Sequence, residues 1–113
     1  EAFGERIIDF QNTRFQLATI AATVEAMWAY NDRALRAYAA SKLTAEEAAK
    51  YKFWATEREW EVLDTCVQLH GGYGYITEYP IARAFLDARV HRIYGGTNEI
   101  MRDIVSRQIA GKR

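Results

Sequence analysis

The hydrophobic residues of this chain recur at intervals of three and four along its first third. This spacing places side chains on one face of an α-helix, and it runs over roughly residues 9–41. The apolar residues that share it are Leu17, Ile20, Val24, Met27, Leu35 and Tyr38. No segment shows the polar–apolar alternation that is typical of a β-strand. The sequence therefore predicts an all-α fold that begins with one long helix.

A second long helix is predicted after a short break. Thr44 is followed three residues later by Glu47, which is the capping-box pattern of a helix start. The apolar stripe of this helix comprises Tyr51, Ala55, Val62, Cys66 and Leu69. We expect it to end at Gly71, because glycine is favoured just past the end of a helix.

Two shorter helices follow. Pro80, the only proline, suits the first turn of a third helix that runs to about residue 92. Arg83 and Asp87 have the i,i+4 spacing of an ion pair on it. Thr97 or Asn98 caps a fourth helix that continues to about residue 109. The architecture predicted is an antiparallel four-helix bundle, with two long and two short helices.

The composition argues against several classes of function. The 113 residues form one domain, and fifteen basic and fifteen acidic residues leave no net charge, which argues against a nucleic-acid partner. Apolar runs are too short to cross a bilayer. The single cysteine, Cys66, fits a reducing intracellular setting and a core position. His70 and His91 lack neighbouring ligands at metal-binding spacing, so no metal site is predicted.

Glycine is concentrated at two points between the helices. Gly71, Gly72 and Gly74 fall within four residues, and Gly95 and Gly96 form a second pair. Such residues permit tight turns and helix caps, which is one interpretation. They also let a ligand approach bare backbone near a helix start, where free N–H groups attract phosphate or ribose oxygens. The glycines alone leave both interpretations open.

The residues around the glycines resemble the motifs of a known protein family. The segment from Cys66 to Ile109 resembles the C-terminal helical domain of the acyl-CoA dehydrogenases, and the likeness extends over the whole chain. The family motifs are Q-x-x-G-G-x-G-[YF], E-Y-P, R-D-[AS]-[RK] and I-Y-x-G-T-x-[EQ]-I. Their counterparts here are Gln68, Gly71, Gly72, Gly74, Tyr75, Glu78, Tyr79, Pro80, Asp87, Ala88, Arg89, Ile93, Tyr94, Gly96, Thr97, Glu99 and Ile100. Leu86 departs from the pattern, because it replaces an arginine.

The resemblance implies a set of ligand-binding residues. Members of the family oxidise acyl-CoA thioesters between the α and β carbons and pass a hydride to FAD. Gln68, Gly71 and Gly72 match a segment that contacts the ADP part of FAD across a subunit boundary. Further FAD contacts are implied at Gln11, Thr97 and Glu99. The positions beside the thioester are Tyr94 and Gly96.

The resemblance also implies where the catalytic base is not. Many members carry a glutamate at the position of Gly95, which cannot take a proton. Members of the long-chain type, which this sequence resembles most, place the base on a helix before the R-x-A-F-G motif. "EAFG" at residues 1–4 matches the end of that motif. We therefore expect a fragment without its first helix, whose base precedes residue 1 and which alone is inactive and holds FAD only weakly.

Four glutamates of the predicted long helices are expected to be solvated rather than catalytic: Glu25, Glu57, Glu59 and Glu61. Glu99 is a weak candidate for the base. In the parent enzyme the resemblance implies an acyl-CoA substrate, a homotetramer or homodimer, and possible transfer of electrons to an electron-transfer flavoprotein. The compartment would be the cytoplasm in bacteria or the mitochondrial matrix in eukaryotes. The alternatives are a helical oligomerisation module, or a relative with nitroalkane-oxidase-like or DNA-protective chemistry.

Overall fold

The computed structural model describes residues 1–112 and contains four α-helices. They are α1 (Gln11–Ala39), α2 (Ala45–His70), α3 (Pro80–Arg89) and α4 (Asn98–Ile109). Short 3-10 turns at Ile7–Asp9, Gly71–Tyr75 and Val90–Arg92 join or precede them. Within these residues the only β-type pairing is an isolated bridge from Ala2 to Glu5. The prediction of an all-α fold with two long and two short helices is confirmed.

Helix α2 lies at the centre of the fold, and the other three helices pack against it. The fully buried hydrophobic residues are small ones: Ala49, Ala55, Ala82, Ala88 and Val105. The radius of gyration is 17.5 Å, whereas a compact chain of this length has about 13 Å. The helices therefore flank one shared helix and do not enclose a thick core of large side chains.

Helix α1 packs against α2 and exposes much of its apolar face. Leu17, Ile20, Val24 and Met27 are partly buried, as their spacing predicts. Leu35 and Tyr38, which the same spacing assigned to this face, are 56% and 72% exposed. The difference arises because a single partner helix covers only a narrow stripe of α1.

The helix starts follow the predicted capping chemistry. The Glu47 backbone N–H donates to Thr44 Oγ1 at 3.2 Å, and the Thr44 N–H donates to Glu47 Oε2 at 3.1 Å. This capping box lowers the pKa of Glu47, chiefly through the bond from the Thr44 backbone. At α4 the cap is Thr97, whose Oγ1 accepts from the Ile100 N–H at 3.4 Å.

Three predictions about surface side chains are wrong. The Arg83 guanidinium donates to the Thr77 carbonyl, and no ion pair with Asp87 forms within residues 1–112. Two of the glutamates expected to be solvated are partly buried and paired across helices. Glu57 accepts from Arg102 at 2.6 and 2.7 Å, and Glu59 contacts a histidine described below. Sequence spacing within one helix could not reveal these partners, because they come from a different helix.

Candidate functional site

The first glycine junction, Gln68 to Tyr75, presents bare backbone to solvent. Gly71 follows the last residue of α2 with a φ of +59°, a conformation that disfavours other residues. Gln68, Gly71 and Gly72 are all exposed. A Cβ added to either glycine would meet no heavy atom within 4 Å. The fold itself therefore does not need the space in front of these two residues, and a ligand could occupy it.

Gly74 has a different role from its neighbours. It is buried, and a Cβ there would lie 2.5 Å from the carbonyl oxygen of Val67 and 3.1 Å from its Cα. The 3-10 turn can thus approach α2 only if this residue lacks a side chain. Beside it is an apolar pocket of about 260 Å³ that Phe85 and Leu86 help to line. The dense glycine cluster therefore combines one packing glycine with two that expose backbone.

The helical register places Gln11 at the same end of the fold as this first junction. The Tyr51 hydroxyl donates to Asn31 Oδ1 at 2.7 Å, which ties the last third of α1 to the first third of α2 in an antiparallel pair. Gln11 lies twenty residues before Asn31, and Gly71 lies twenty residues after Tyr51. Both are consequently displaced in the same direction along the pair, by about 30 Å. Gln11 is exposed at the first turn of α1.

The second glycine junction, Tyr94 to Glu99, leads from the last 3-10 turn into α4. Gly95 and Gly96 have φ values of +65° and +91°. A Cβ on Gly96 would lie 2.6 Å from the Met101 Cε. A pocket of about 140 Å³ lies beside the junction, lined by Glu57, Arg89, Arg92, Ile93, Thr97, Asn98 and Glu99. Two guanidinium groups and a helix N-terminus therefore border the same small space, together with two carboxylates.

One face of the Tyr94 ring packs against a histidine. Its ring stacks on that of His91 at 5.5 Å with an angle of 13° between the planes, and it remains 57% exposed. His91 Nδ1 lies 2.8 Å from Glu59 Oε2 of α2. This carboxylate comes from a different helix, thirty-two residues earlier in the chain, so sequence spacing around His91 did not indicate it. Since the pair holds the His91 ring in place, the exposed face of Tyr94 has a fixed direction.

The two junctions are separate sites on one chain. The second junction meets α2 at Lys52, whose Nζ lies 2.7 Å from the Gly96 carbonyl oxygen. Gly71 of the first junction lies nineteen residues later, which corresponds to about 28 Å along a helix. The predicted cofactor residues therefore form two groups. Gln11, Gln68, Gly71 and Gly72 lie at one end of α2, and Thr97 and Glu99 lie near the other with Tyr94 and Gly96.

The carboxylates beside the second junction are those of Glu57 and Glu99. Gly95 has no side chain, and Glu99 is exposed on the first turn of α4. Burial raises the pKa of the Cys66 thiol, which disfavours a reactive thiolate. Among residues 1–112, no three His, Cys, Asp or Glu side chains lie close enough to hold a metal ion. None of the described helices combines the length and hydrophobicity of a bilayer-spanning segment.

Sequence reasoning missed the residues that hold the second junction on α2. The sequence indicates Asn98 only as a possible helix cap, yet among residues 1–112 it is the largest fully buried side chain. Lys52 and Thr56 of α2 both bond to it. The sequence pattern that could have indicated Lys52 and Thr56 is their i,i+4 spacing beside an apolar stripe. This pattern is weak evidence, because such polar pairs are common on any exposed helix.

Comparison with known proteins identifies the class. Residues 1–110 match the model of the family "Acyl-CoA dehydrogenase, C-terminal domain". The long-chain specific acyl-CoA dehydrogenase of Rattus norvegicus mitochondria is 43% identical over 109 residues, which cover 96% of this chain and 25% of that protein. The Caffeyl-CoA reductase-Etf complex subunit CarC of Acetobacterium woodii is 39% identical, over 97% of this chain and 29% of that subunit.

Solved structures agree with the family model. An acyl-CoA dehydrogenase from Geobacillus kaustophilus superposes with a TM-score of 0.91 at 41% identity, covering 96% of this chain and 29% of that one. The all-helical fold with two exposed glycine junctions is thus of the acyl-CoA dehydrogenase C-terminal-domain type. The chain belongs to the acyl-CoA dehydrogenase family. It spans between a quarter and a third of the length of these relatives.

Proposed function

We propose that this chain is the C-terminal domain of a flavin-dependent enzyme that introduces a double bond between the α and β carbons of an acyl-CoA thioester. The observation that carries the proposal is the pair of separate junctions, each of which exposes glycine backbone. A ligand that is contacted at both ends of α2 must be long, or must lie between two copies of the chain. An extended dinucleotide shared by two subunits meets both conditions.

The first junction fits the ADP part of FAD. The positions of Gly71 and Gly72 leave open space where any other residue would project a Cβ. The Gln68 amide, one turn earlier, can donate and accept hydrogen bonds at once. Gln11 adds a second amide at the same end of the helix pair. We assign these four residues to the FAD that is held mainly by a neighbouring subunit.

The second junction fits the reacting end of the ligands. Bound FAD would supply the acceptor for the hydride that leaves the β carbon. Thr97 and Glu99, at the start of α4, are assigned to FAD contacts, because the first-turn N–H groups and the Thr97 hydroxyl suit ribose or phosphate oxygens. Tyr94 and Gly96 are assigned to the side of the thioester, where the Tyr94 face excludes water.

The identity of residue 95 indicates the type of enzyme within the family. It occupies the position at which many members of the family carry the base, so the group that removes the α-proton must come from elsewhere. We propose that it precedes residue 1, as in the long-chain type that the 43% identity with the rat enzyme supports. Catalysis is thus assigned to the whole protein, and no catalytic residue is assigned to this chain.

The partners follow from the same proposal. The exposed apolar residues of α1, Phe15, Trp28, Leu35 and Tyr38, suit contact with other parts of a homotetramer or homodimer. The name of the Acetobacterium relative places it in a complex with Etf. An electron-transfer flavoprotein is therefore the proposed electron acceptor. The proposed compartment is the cytoplasm in a bacterium or the mitochondrial matrix in a eukaryote.

Replacement of Gly72 tests the proposal in the full-length, FAD-loaded protein. With the FAD removed, Gly72→Val should leave the unfolding temperature nearly unchanged, because the new Cβ meets no heavy atom of the domain within 4 Å. It should weaken FAD retention about tenfold or more, because the side chain fills the space assigned to the cofactor. Gly72→Ala should have a smaller effect. The measurements are flavin absorbance per protomer after gel filtration and bleaching of that absorbance by acyl-CoA.

The matched control is Ala39→Val, an exposed change of similar size at the opposite end of the α1–α2 pair. It should alter neither flavin content nor bleaching. Equal flavin retention in Gly72→Val and wild type would contradict the assignment of the first junction. A full-length protein that binds no flavin would refute the proposed function altogether.

A further inference from the structure

The most buried large side chain of the domain belongs to the second glycine junction. Asn98, the first residue of α4, is 2% exposed. Its Nδ2 donates to Thr56 Oγ1 at 3.0 Å and to the Phe53 carbonyl at 3.4 Å. Its Oδ1 accepts from Lys52 Nζ at 2.8 Å. Because a buried amide is costly unless it is bonded, these contacts fix the start of α4 on α2.

Lys52 also reaches the glycine pair itself. Its Nζ donates to the Gly96 carbonyl oxygen at 2.7 Å, so one ammonium group bridges Gly96 and Asn98. Gly95 and Gly96 both adopt the left-handed region, and neither has a side chain that could anchor the turn. Lys52 is only partly exposed, and burial lowers the pKa of its ammonium, while Glu99 acts in the opposite direction. The charged Lys52 donor therefore bonds to the backbone of the glycine pair, which would otherwise be free to rotate.

We propose that Lys52 is a positioning residue, whose bond to the Gly96 carbonyl orients the second junction towards cofactor and thioester. The inference rests on the proposed function and names a residue that acts through the backbone of that site. The role of Lys52 is assigned through its bonds to Gly96 and Asn98 and not through a contact with either ligand. By fixing the Gly96 peptide, it sets the direction of the Thr97 hydroxyl and of the first N–H groups of α4. A displacement of about 1 Å in such groups can slow a reaction by about a hundredfold.

Substitution of Lys52 in the full-length flavoprotein tests this role. Lys52→Met keeps the aliphatic stem and removes the donor, and Lys50→Met, two residues earlier on α2 at an exposed position, is the matched control. We expect kcat with acyl-CoA to fall about tenfold or more in Lys52→Met, with KM changed less than about threefold. Lys52→Arg, which retains charged donors, should recover part of kcat. The control should match wild type.

A second readout does not depend on activity. Amide hydrogen exchange of residues 95–101 should accelerate about tenfold or more in Lys52→Met, while α3 keeps its wild-type rates. Thr56→Val provides a purely structural comparison. It removes one Asn98 partner but leaves the Lys52–Gly96 bond, so it should lower the unfolding temperature and reduce kcat much less than Lys52→Met does.

Two results would overturn the inference, and they differ from failure of the proposed function. An unaltered kcat in folded Lys52→Met would make Lys52 merely structural. So would an equal loss of kcat in Thr56→Val. If Lys52→Met does not fold, Lys52→Arg replaces it in the test. Its donors have a different geometry, so its kcat must differ from that of wild type while its unfolding temperature stays near the wild-type value. An unchanged kcat in Lys52→Arg would then overturn the inference. Wild-type protein without flavin or acyl-CoA oxidation would refute the proposed function itself.

Discussion

The contrast between Gly74 and Gly72 yields a sharp stability prediction. Gly74→Ala places a methyl group 2.5 Å from the Val67 carbonyl oxygen and 3.1 Å from its Cα. Both atoms belong to the backbone of α2, so neither can rotate away as a side chain could. Overpacking of this kind costs about 1–3 kcal/mol. Because the clash is with a rigid central helix, we expect about 2 kcal/mol or more, and a fall in unfolding temperature of about 8 °C.

Gly72→Ala is the control, two residues away in the same turn. Its new Cβ meets nothing within 4 Å, and its φ lies outside the left-handed region. The change should therefore be neutral or stabilise by up to about 1 kcal/mol, through the lower entropy of the unfolded chain. Thermal unfolding followed by circular dichroism measures both variants. If Gly74→Ala unfolds within about 2 °C of Gly72→Ala, the close approach of the turn to α2 is not what requires glycine.

Two further predictions concern helix α2. Thr44→Ala should destabilise the domain by about 1 kcal/mol, because it removes the hydroxyl of the capping box, and urea unfolding should show a lower midpoint at unchanged slope. For Glu57, burial raises the carboxyl pKa, but the hydrogen bonds and charge of Arg102, together with Asn98 and Arg58, leave it below its usual 4.5. A depressed folded-state pKa stabilises the fold above the unfolded pKa, and this contribution is lost as the pH falls through the folded value. The unfolding temperature of Glu57→Gln should therefore fall less than that of wild type between about pH 6 and pH 3, and parallel curves would contradict the role of this pair.

Much of the fold could be predicted from local patterns in the sequence. The capping box at Thr44, the glycine after α2 and the proline that opens α3 each act over a few residues, and each marks a boundary within a residue or two of the observed one. Exposure was harder to predict. Leu35 and Tyr38 have helical spacing, but their burial depends on how many helices flank α1, which no local pattern states.

The candidate site was predictable only in part. The family motifs indicated which residues to consider, and the exposed glycines at 71 and 72 have the open surroundings that the interpretation requires. The supports of the second junction come from residues more than thirty positions away, as in the contact of His91 with Glu59. Such partners depend on the offset between two packed helices. Sequence spacing within either helix leaves that offset undetermined.

The central place of α2 has a consequence for how the domain loses structure. Within residues 1–112 α1 packs on α2 and makes at most marginal contact with α3 and α4, and the α2 residues that contact it include Tyr51. Detachment of α1 therefore costs the contacts of one interface and leaves those of α3 and α4 in place. Helix α1 can thus unfold locally while α2, α3 and α4 stay packed. Unfolding of the domain therefore need not be a single cooperative transition.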